Sequence, residues 1–322
     1  RLSMRLSVLD LRLRSILCVP LKSRDLVSGV IYVDNRLQAG IFSREDLDFL
    51  VAIASNAAIA IENARLYQVA VEKGRMEREL QMARGVQASL LPSETPQVPG
   101  WAFEARWQPA RTVSGDYYDF IRLGGEQLGL VIADVSDKGM PAAVFMALTR
   151  STIRATVSQI ASPADAIAEA NRLICADSAD GMFVTLFYAQ LDPASGVITY
   201  VNAGHNPPLL CRAGSQGGAG VLDELRPTGM ALGIVDEFPF EQRNLELQPG
   251  DSILLYTDGV PDASNEEQEQ FGMERLRNVI LERRTAPVAD MVSALEQAIA
   301  ELTGGASQFD DIAILAVERL GL

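Results

Sequence analysis

Cysteine and histidine are both scarce in this chain of 322 residues, which contains three cysteines and one histidine, His205. The cysteines, Cys18, Cys175 and Cys211, lie far apart in the sequence. They form neither a disulfide framework nor a CxxC zinc site, which fits a reducing cytoplasm. A single histidine leaves little material for a Ser-His-Asp hydrolase or for a histidine-rich metal site.

Positive charge is also scarce, with 28 Lys and Arg residues against 42 Asp and Glu residues, a net charge of −14. An acidic chain repels nucleic-acid phosphates and anionic lipid, so we expect no nucleic-acid partner and no membrane partner. We find no signal peptide and no run of 18 uncharged apolar residues, so we expect no transmembrane helix. Hydrophobic residues make up 48% of the chain, enough for a buried core in a cytoplasmic protein.

The first part of the sequence predicts a hairpin followed by a helix. Residues 15–35 contain two β-branched runs around a polar turn, which is typical of paired strands. Ser43 is a suitable helix N-cap, with Asp46 three residues later. Apolar and small residues then recur at alternating spacings of three and four, a stripe that favours packing against another helix. The stripe consists of Leu47, Leu50, Ala54, Ala57, Ile61 and Ala64.

Helical sequence continues over residues 67–92 and ends at Pro92. A second stripe, formed by Met76, Leu80, Ala83, Gln87 and Leu90, is out of phase with the first near Gly74. Spacing of this kind predicts a parallel homodimer joined along the helix. The alternative is an amphipathic helix that packs on its own domain. Glycine in a helix costs roughly 1 kcal/mol relative to alanine, so Gly74 marks a weak joint.

From residue 93 the sequence alternates between short strands and two pairs of helices, at 140–158, 163–178, 272–284 and 287–303. Many antiparallel strands with paired amphipathic helices predict an α+β fold, a two-sheet β-sandwich flanked by helical layers. The glycine-rich stretch 214–220 is expected to be a loop.

Four aspartates, Asp116, Asp134, Asp258 and Asp310, stand at the ends of apolar strands, near glycine or small residues. A carboxylate at such a position is costly unless a cation neutralises it. Carboxylate, carbonyl and water ligands select hard cations such as Mg²⁺ or Mn²⁺ over zinc. The alternative is ordinary turn chemistry, as in the Asp-Gly pair at 258–259. The residues alone leave both interpretations open.

Six motifs in order carry a resemblance to a known family: VSGDYYDF, ADVSDKGMPAA, VTLFYA, AGHNPPLL, LYTDGVPDA and DDIAIL. Together they resemble the SpoIIE/RsbU type of the metal-dependent protein phosphatase (PPM) superfamily over about residues 92–320. The resemblance implies a PPM-type β-sandwich between helical layers and a serine/threonine phosphatase that uses two Mn²⁺ or Mg²⁺ ions.

The resemblance also implies roles for individual residues. Asp134 would bridge the two metals, joined by the backbone carbonyl of Val135, while Asp116 would bind one metal and Asp258 and Asp310 the other. A water or hydroxide shared by the metals would attack phosphorus in line.

Other polar residues in or outside the motifs are open to two interpretations. Arg111 precedes VSGD and is a candidate substrate-phosphate ligand, with a surface arginine as the alternative. His205 is a packed, turn-forming residue, or alternatively a general acid or a substrate ligand. Asp119 and Asp311 are metal-site carboxylates or polar framing. Cys18 and Arg24 match C-x5-R, but this segment has no glycine to wrap a phosphate, so we reject a cysteine phosphatase.

Residues 15–67 resemble the C-terminal part of a GAF sensor domain. We therefore predict a partial GAF α/β domain at 1–66, a linker helix at 67–92 and the phosphatase domain at 93–322. The resemblance implies a phosphorylated protein substrate, with an anti-sigma-factor antagonist as the candidate, and control by the sensor through the linker. A catalytically inactive scaffold of the same fold is the alternative. A sensor histidine kinase fits poorly, since Asn-Pro-Pro follows the only histidine.

Overall fold

The computed structural model describes residues 14–24, 26–178, 181–213, 222–306 and 308–321. The chain divides into two compact units, one up to Glu79 and one from Leu80 onward. This division falls inside the stretch predicted as a linker. The glycine-rich stretch 214–220, predicted as a loop, lies outside the described residues.

The first unit contains the predicted hairpin and most of a long helix. Strands β1 (Ser15–Ser23) and β2 (Leu26–Asn35) pair antiparallel, and helix α1 (Arg44–Leu90) follows. The Ser43 hydroxyl accepts a hydrogen bond from the Asp46 amide at 3.2 Å, and the Asp46 carboxylate accepts one from the Ser43 amide at 2.8 Å. This reciprocal cap confirms the predicted start of the helix. The helix then continues through Gly74 as one element of 47 residues.

The surface of α1 is only partly covered. Within the predicted stripe Ala54 is buried, whereas Leu47 and Ile61 are 37% and 48% exposed. An 18-residue window of α1 has a mean hydropathy of 1.3 and is 11% buried, so length and composition alone would allow this helix, and no other among the described residues, to span a membrane. The expectation that the chain has no helix able to span a membrane is therefore not met by length and composition alone. A helix that packs against another helix can have the same length and hydropathy.

After the end of α1, the described residues of the second unit form ten strands, a short 3₁₀ turn at Gly124–Glu126 and four helices. The strands are β3 (Trp101–Gln108), β4 (Tyr117–Arg122), β5 (Leu128–Val135), β6 (Val184–Asp192), β7 (Val197–Ala203), β8 (Leu209–Cys211), β9 (Leu222–Glu224), β10 (Arg243–Glu246), β11 (Ser252–Tyr256) and β12 (Ile312–Arg319). The helices are α2 (Met140–Gln159), α3 (Pro163–Asp177), α4 (Gly272–Glu282) and α5 (Val288–Thr303). All four predicted helices are confirmed to within two residues.

Two five-stranded antiparallel sheets form a sandwich, in the orders β10-β7-β6-β5-β4 and β3-β12-β11-β8-β9. Apolar side chains from both sheets, among them Ile132, Phe187 and Leu315, bury one another in the central core. Helices α2 and α3 cover the outer face of the first sheet, and α4 and α5 cover that of the second. The alternating strands and amphipathic helices therefore produce the predicted α+β sandwich between helical layers.

The strand order brings distant aspartates to one edge of the sandwich. Strand β4 begins beside the end of β5, with Tyr117 opposite Ala133. In the other sheet, β11 ends beside the start of β12, with Tyr256 opposite Ile314. In an antiparallel pair, the end of one strand lies next to the start of its partner. Each sheet therefore presents one such strand pair at the edge where its aspartates lie.

Candidate metal centre

We refer to Asp116, Asp134, Asp258 and Asp310 as the carboxylate cluster. Asp116 directly precedes β4 and is only 3% exposed. Its Oδ2 atom is buried and has no hydrogen-bond partner among the described residues. Burial first, and then the charge of Asp134, raise the pKa of Asp116 well above its ordinary value. A buried carboxylate of this kind requires a proton or a cation.

Asp134 and Asp258 both have raised pKa values, partly because of neighbouring carboxylates. Burial above all, together with the charges of Asp258 and Asp310 and against an opposing hydrogen bond with Asp116, raises the pKa of Asp134 to about 7. Burial, followed by the charge of Asp310, raises the pKa of Asp258 to about 6. Asp134 therefore lies within electrostatic reach of Asp258 and Asp310, and a cation would relieve the repulsion among these carboxylates.

Lys138 supplies positive charge to the cluster. Its Nζ atom lies 2.9 Å from Asp310 Oδ2, donates to the Phe309 carbonyl at 3.1 Å, and lies 4.1 Å from the centre of the Phe309 ring. The positive charge of Lys138 also opposes the rise in the pKa of Asp258. Sequence reasoning did not assign this lysine a role, although it stands in the ADVSDKG motif.

The cluster fits a hard divalent cation by its chemistry, although its side chains do not converge as ligands in this structure. No three His, Cys, Asp or Glu side chains in the described ranges are arranged to hold a metal ion, and Asp310 is engaged by Lys138. The donors are all oxygen atoms, which suits Mg²⁺ or Mn²⁺. The unpartnered oxygen of Asp116 adds a further acceptor. We conclude that the residues present fit such ions.

Glycine at position 115 lets the segment before Asp116 approach Val135 closely. A Cβ atom built on Gly115 would lie 3.0 Å from the Val135 carbonyl oxygen and 3.4 Å from the Ala142 side chain. The carbonyl predicted to join Asp134 in metal binding therefore faces the segment that carries Asp116.

Asp311 holds the segment before Asp116 rather than standing free as a ligand. Its carboxylate accepts hydrogen bonds from the amides of Ala110 at 2.7 Å and Gly115 at 2.9 Å. The chain also approaches Gly259 here, where an added Cβ atom would lie 1.9 Å from the Asp311 carbonyl oxygen. Of the two roles left open by the sequence, the structure favours framing of the site.

Asp119 has a different environment. Its side chain is 1% exposed and lies 3.1 Å from Arg150 Nε and 2.5 Å from Arg154 Nε. Two guanidinium groups neutralise this carboxylate, and they explain its tolerance of burial without a metal. The structure therefore argues against Asp119 as a metal-site carboxylate.

The two candidate substrate ligands differ in exposure. Arg111 is exposed in the loop before Asp116, and no salt bridge to it is found within the described part of the chain. His205 is 1% exposed, its Nδ1 lies 2.9 Å from the Thr185 hydroxyl, and burial lowers its pKa to about 3. Such a neutral, enclosed ring favours the packed histidine over the substrate ligand.

Cys18 lies in strand β1, where it pairs with Tyr32 of β2. Arg24 follows in the hairpin turn with a φ of 52°. Successive amides of an extended strand point to opposite sides, so those of this segment cannot converge on one phosphate. The rejection of a cysteine-phosphatase loop is consistent with this geometry.

Comparisons with known proteins agree with this architecture. The family model described as Stage II sporulation protein E (SpoIIE) matches residues 124–320, and a GAF domain model matches residues 7–63. Protein IcfG of Synechocystis sp. is 31% identical over 298 residues, covering 84% of this chain and 46% of IcfG. The chain thus spans about half the length of that relative.

Two further proteins extend the comparison. The phosphoserine phosphatase RsbU of Bacillus subtilis is 28% identical over 275 residues, covering 85% of this chain and 79% of RsbU. The SiaA-PP2C domain of Pseudomonas aeruginosa superposes with a TM-score of 0.68 at 22% identity, covering 78% of this chain and 100% of that domain. This last likeness shows that the second unit has the PP2C fold.

Proposed function

The chain belongs to the SpoIIE family, and we propose that its second unit hydrolyses phosphoserine or phosphothreonine on a partner protein with the help of two divalent cations. The observation that carries the proposal is the placement of four aspartates from two sheets beside paired strand ends, at one edge of a PP2C-type sandwich. The likeness to RsbU, a phosphoserine phosphatase, supports the choice of reaction and of substrate class.

In this proposal the cluster holds Mn²⁺ or Mg²⁺. Asp116, Asp134, Asp258, Asp310 and the Val135 carbonyl would hold the ions. Bound divalent ions lower the pKa of water and neutralise charge on phosphoryl oxygens. The chain's own contribution is to hold these oxygen ligands at the edge of a rigid sandwich. Exposed Arg111 is our candidate for the substrate phosphate, where a guanidinium can bind two oxygens at once.

The proposed reaction can be tested by measuring its products. Hydrolysis transfers the phosphoryl group from the serine or threonine oxygen to water, releasing inorganic phosphate and the free hydroxyl. Purified protein should release phosphate from a phosphoserine protein and from a chromogenic phosphate ester when Mn²⁺ is present, and EDTA should stop both reactions. A protein that binds the phosphoprotein but hydrolyses neither substrate would instead be an inactive scaffold of the same fold.

Regulation and assembly are further parts of the proposal. The GAF-like first part and the single helix α1 support control of the phosphatase by a sensor through a helical linker. The exposed apolar residues of α1 support a homodimer along this helix.

By likeness to RsbU we propose a phosphorylated signalling protein as the partner, with an anti-sigma-factor antagonist as the first candidate to assay. We also propose a cytoplasmic location.

A further inference from the structure

Gln87 is a buried polar residue near the end of α1, in the second unit of the chain. It is 4% exposed, while its neighbours Val86 and Ala88 are exposed. Both ends of its carboxamide contact the backbone of Ser114: Nε2 donates to the Ser114 carbonyl at 2.5 Å, and Oε1 accepts from the Ser114 amide at 3.0 Å. These two bonds satisfy the amide that burial would otherwise penalise.

Ser114 belongs to the loop of residues 109–116, which lies between β3 and β4 and is outside both sheets. A primary carboxamide presents a donor and an acceptor side by side, so it can pair with the N–H and C=O of one residue. Gln87 thus takes the place that a neighbouring strand would hold in a sheet. A backbone segment that has no ladder partner gains a fixed position in this way.

Further hydrogen bonds hold the backbone of Asp116 next to Ser114. The Ser114 hydroxyl accepts from the Asp116 amide at 3.0 Å, and the Trp107 indole donates to the Asp116 carbonyl at 2.9 Å. Between them, the Gly115 amide donates to Asp311. Each backbone N–H of residues 114–116 is therefore held by a side chain, and Gln87 supplies the first of these contacts.

We propose that Gln87 is a positioning residue for the candidate metal ligand Asp116, acting through the Ser114 backbone. The inference rests on the proposed function, because it gives Asp116 the task of binding a cation. The C-terminal turn of α1 would then support the site, although α1 lies outside the two sheets that carry the aspartates. Outer hydrogen bonds that orient a metal ligand typically change metal affinity 10–100-fold when they are removed.

The test compares Gln87→Met, which keeps the length of the side chain and removes both hydrogen bonds, with Gln81→Met on the exposed side of the same helix. Calorimetric titration of the full chain with Mn²⁺ should show an affinity reduced about tenfold or more for Gln87→Met and unchanged for Gln81→Met. Hydrogen exchange should be faster at the Ser114 amide in the first variant only.

A purely structural role for Gln87 would lower the melting temperature and leave the Mn²⁺ affinity of the folded protein unchanged, and that result would overturn the inference. If Gln87→Met does not fold, Gln87→Glu replaces it, since a carboxylate keeps the acceptor for the Ser114 amide and removes the donor to its carbonyl. Wild-type affinity in Gln87→Glu would also count against the inference. A wild-type chain that binds no Mn²⁺ would refute the proposed function itself, and the inference with it.

Discussion

The carboxylate of Asp311 accepts a hydrogen bond from the amide of Gly115 at 2.9 Å, although 196 positions separate the two residues. Asp311 directly precedes β12 of the second sheet, and Gly115 lies just before β4 of the first. The bond therefore ties one sheet to the loop that carries a ligand candidate of the other, and the second bond from Ala110 reinforces it.

Replacing Asp311 by alanine should destabilise the fold, because it leaves the Gly115 and Ala110 amides without their acceptor. We expect a loss of about 1–3 kcal/mol in the free energy of unfolding, measured by urea denaturation without metal. The exposed Asp177→Ala at the end of α3 is the control and should change stability by less than about 0.5 kcal/mol. Equal stability of the two variants would contradict this account.

Neutralising the cluster should abolish catalysis without unfolding the protein. Asp134→Asn and Asp258→Asn preserve the shape of the side chain but remove the charge that a cation needs. Each variant should retain less than about a tenth of the Mn²⁺-dependent rate, at least ~1.4 kcal/mol of barrier. Phosphate release and circular dichroism measure the two properties, with Asp177→Asn as the matched control. A folded variant with near-normal rate would exclude that residue as a ligand.

Metal-free protein should become more stable relative to Asp134→Asn as the pH falls. The pKa of Asp134 in the folded chain is about 7, above its ordinary unfolded value of about 3.9. Between these values the folded state binds more protons than the unfolded state, so the cost of the buried charge is full above pH 7 and is lost towards pH 4.

Thermal unfolding in EDTA at pH 5 and pH 7.5 measures this effect. His205, whose pKa is lowered by burial, acts in the opposite sense, but the variant retains His205, so its contribution cancels in the difference between the two proteins. Asp134→Asn should be more stable than wild type at pH 7.5, with a smaller advantage at pH 5. A gain that grows on acidification would show that the sign is wrong.

Lys138 should compete with a metal ion for Asp310, since its ammonium group lies 2.9 Å from that carboxylate. Lys138→Met should therefore bind Mn²⁺ more tightly, by roughly tenfold or about 1.4 kcal/mol, and should be less stable without metal. Lys138→Arg keeps the charge and serves as the control. Calorimetric titration that shows weaker Mn²⁺ binding in Lys138→Met would instead assign the lysine a supporting role at the site.

The linker makes a prediction about assembly and rate. If α1 forms a parallel homodimer, Leu50→Asp combined with Ile61→Asp should shift the protein towards monomer in light scattering. Gly74→Ala should stabilise the helical conformation by roughly 1 kcal/mol. If this joint transmits a signal, the basal phosphatase rate should change as well. A wild-type monomer, or an unchanged rate and oligomeric state in Gly74→Ala, would leave α1 as a simple spacer.

Much of this architecture was predictable because it follows from patterns among residues that are close in the sequence. Alternating strands, a capped start at Ser43 and strand-end aspartates are short-range patterns, and the strand order then determines that Asp116 meets Asp134. The helix passes through Gly74 although the two stripes change phase there, because one glycine costs little in a helix of 47 residues.

Other features depend on residues that only the folded chain brings together. Arg150 and Arg154 reach Asp119 from α2, and Lys138 reaches Asp310 across 172 positions. No spacing rule links these partners. The sequence therefore could not separate Asp119, which two arginines neutralise, from Asp116, whose Oδ2 atom has no hydrogen-bond partner among the described residues.

The division of the cluster between two sheets has a consequence for the lifetime of the protein. Asp116 and Asp134 come from one sheet and Asp258 and Asp310 from the other. An ion held by both pairs would bind the closed sandwich and not a chain whose layers have parted. Free metal at 100 times its dissociation constant would then add about 2.7 kcal/mol to the free energy of unfolding. Metal supply would thereby govern resistance to proteolysis as well as turnover, and a cell short of manganese or magnesium would lose the protein itself.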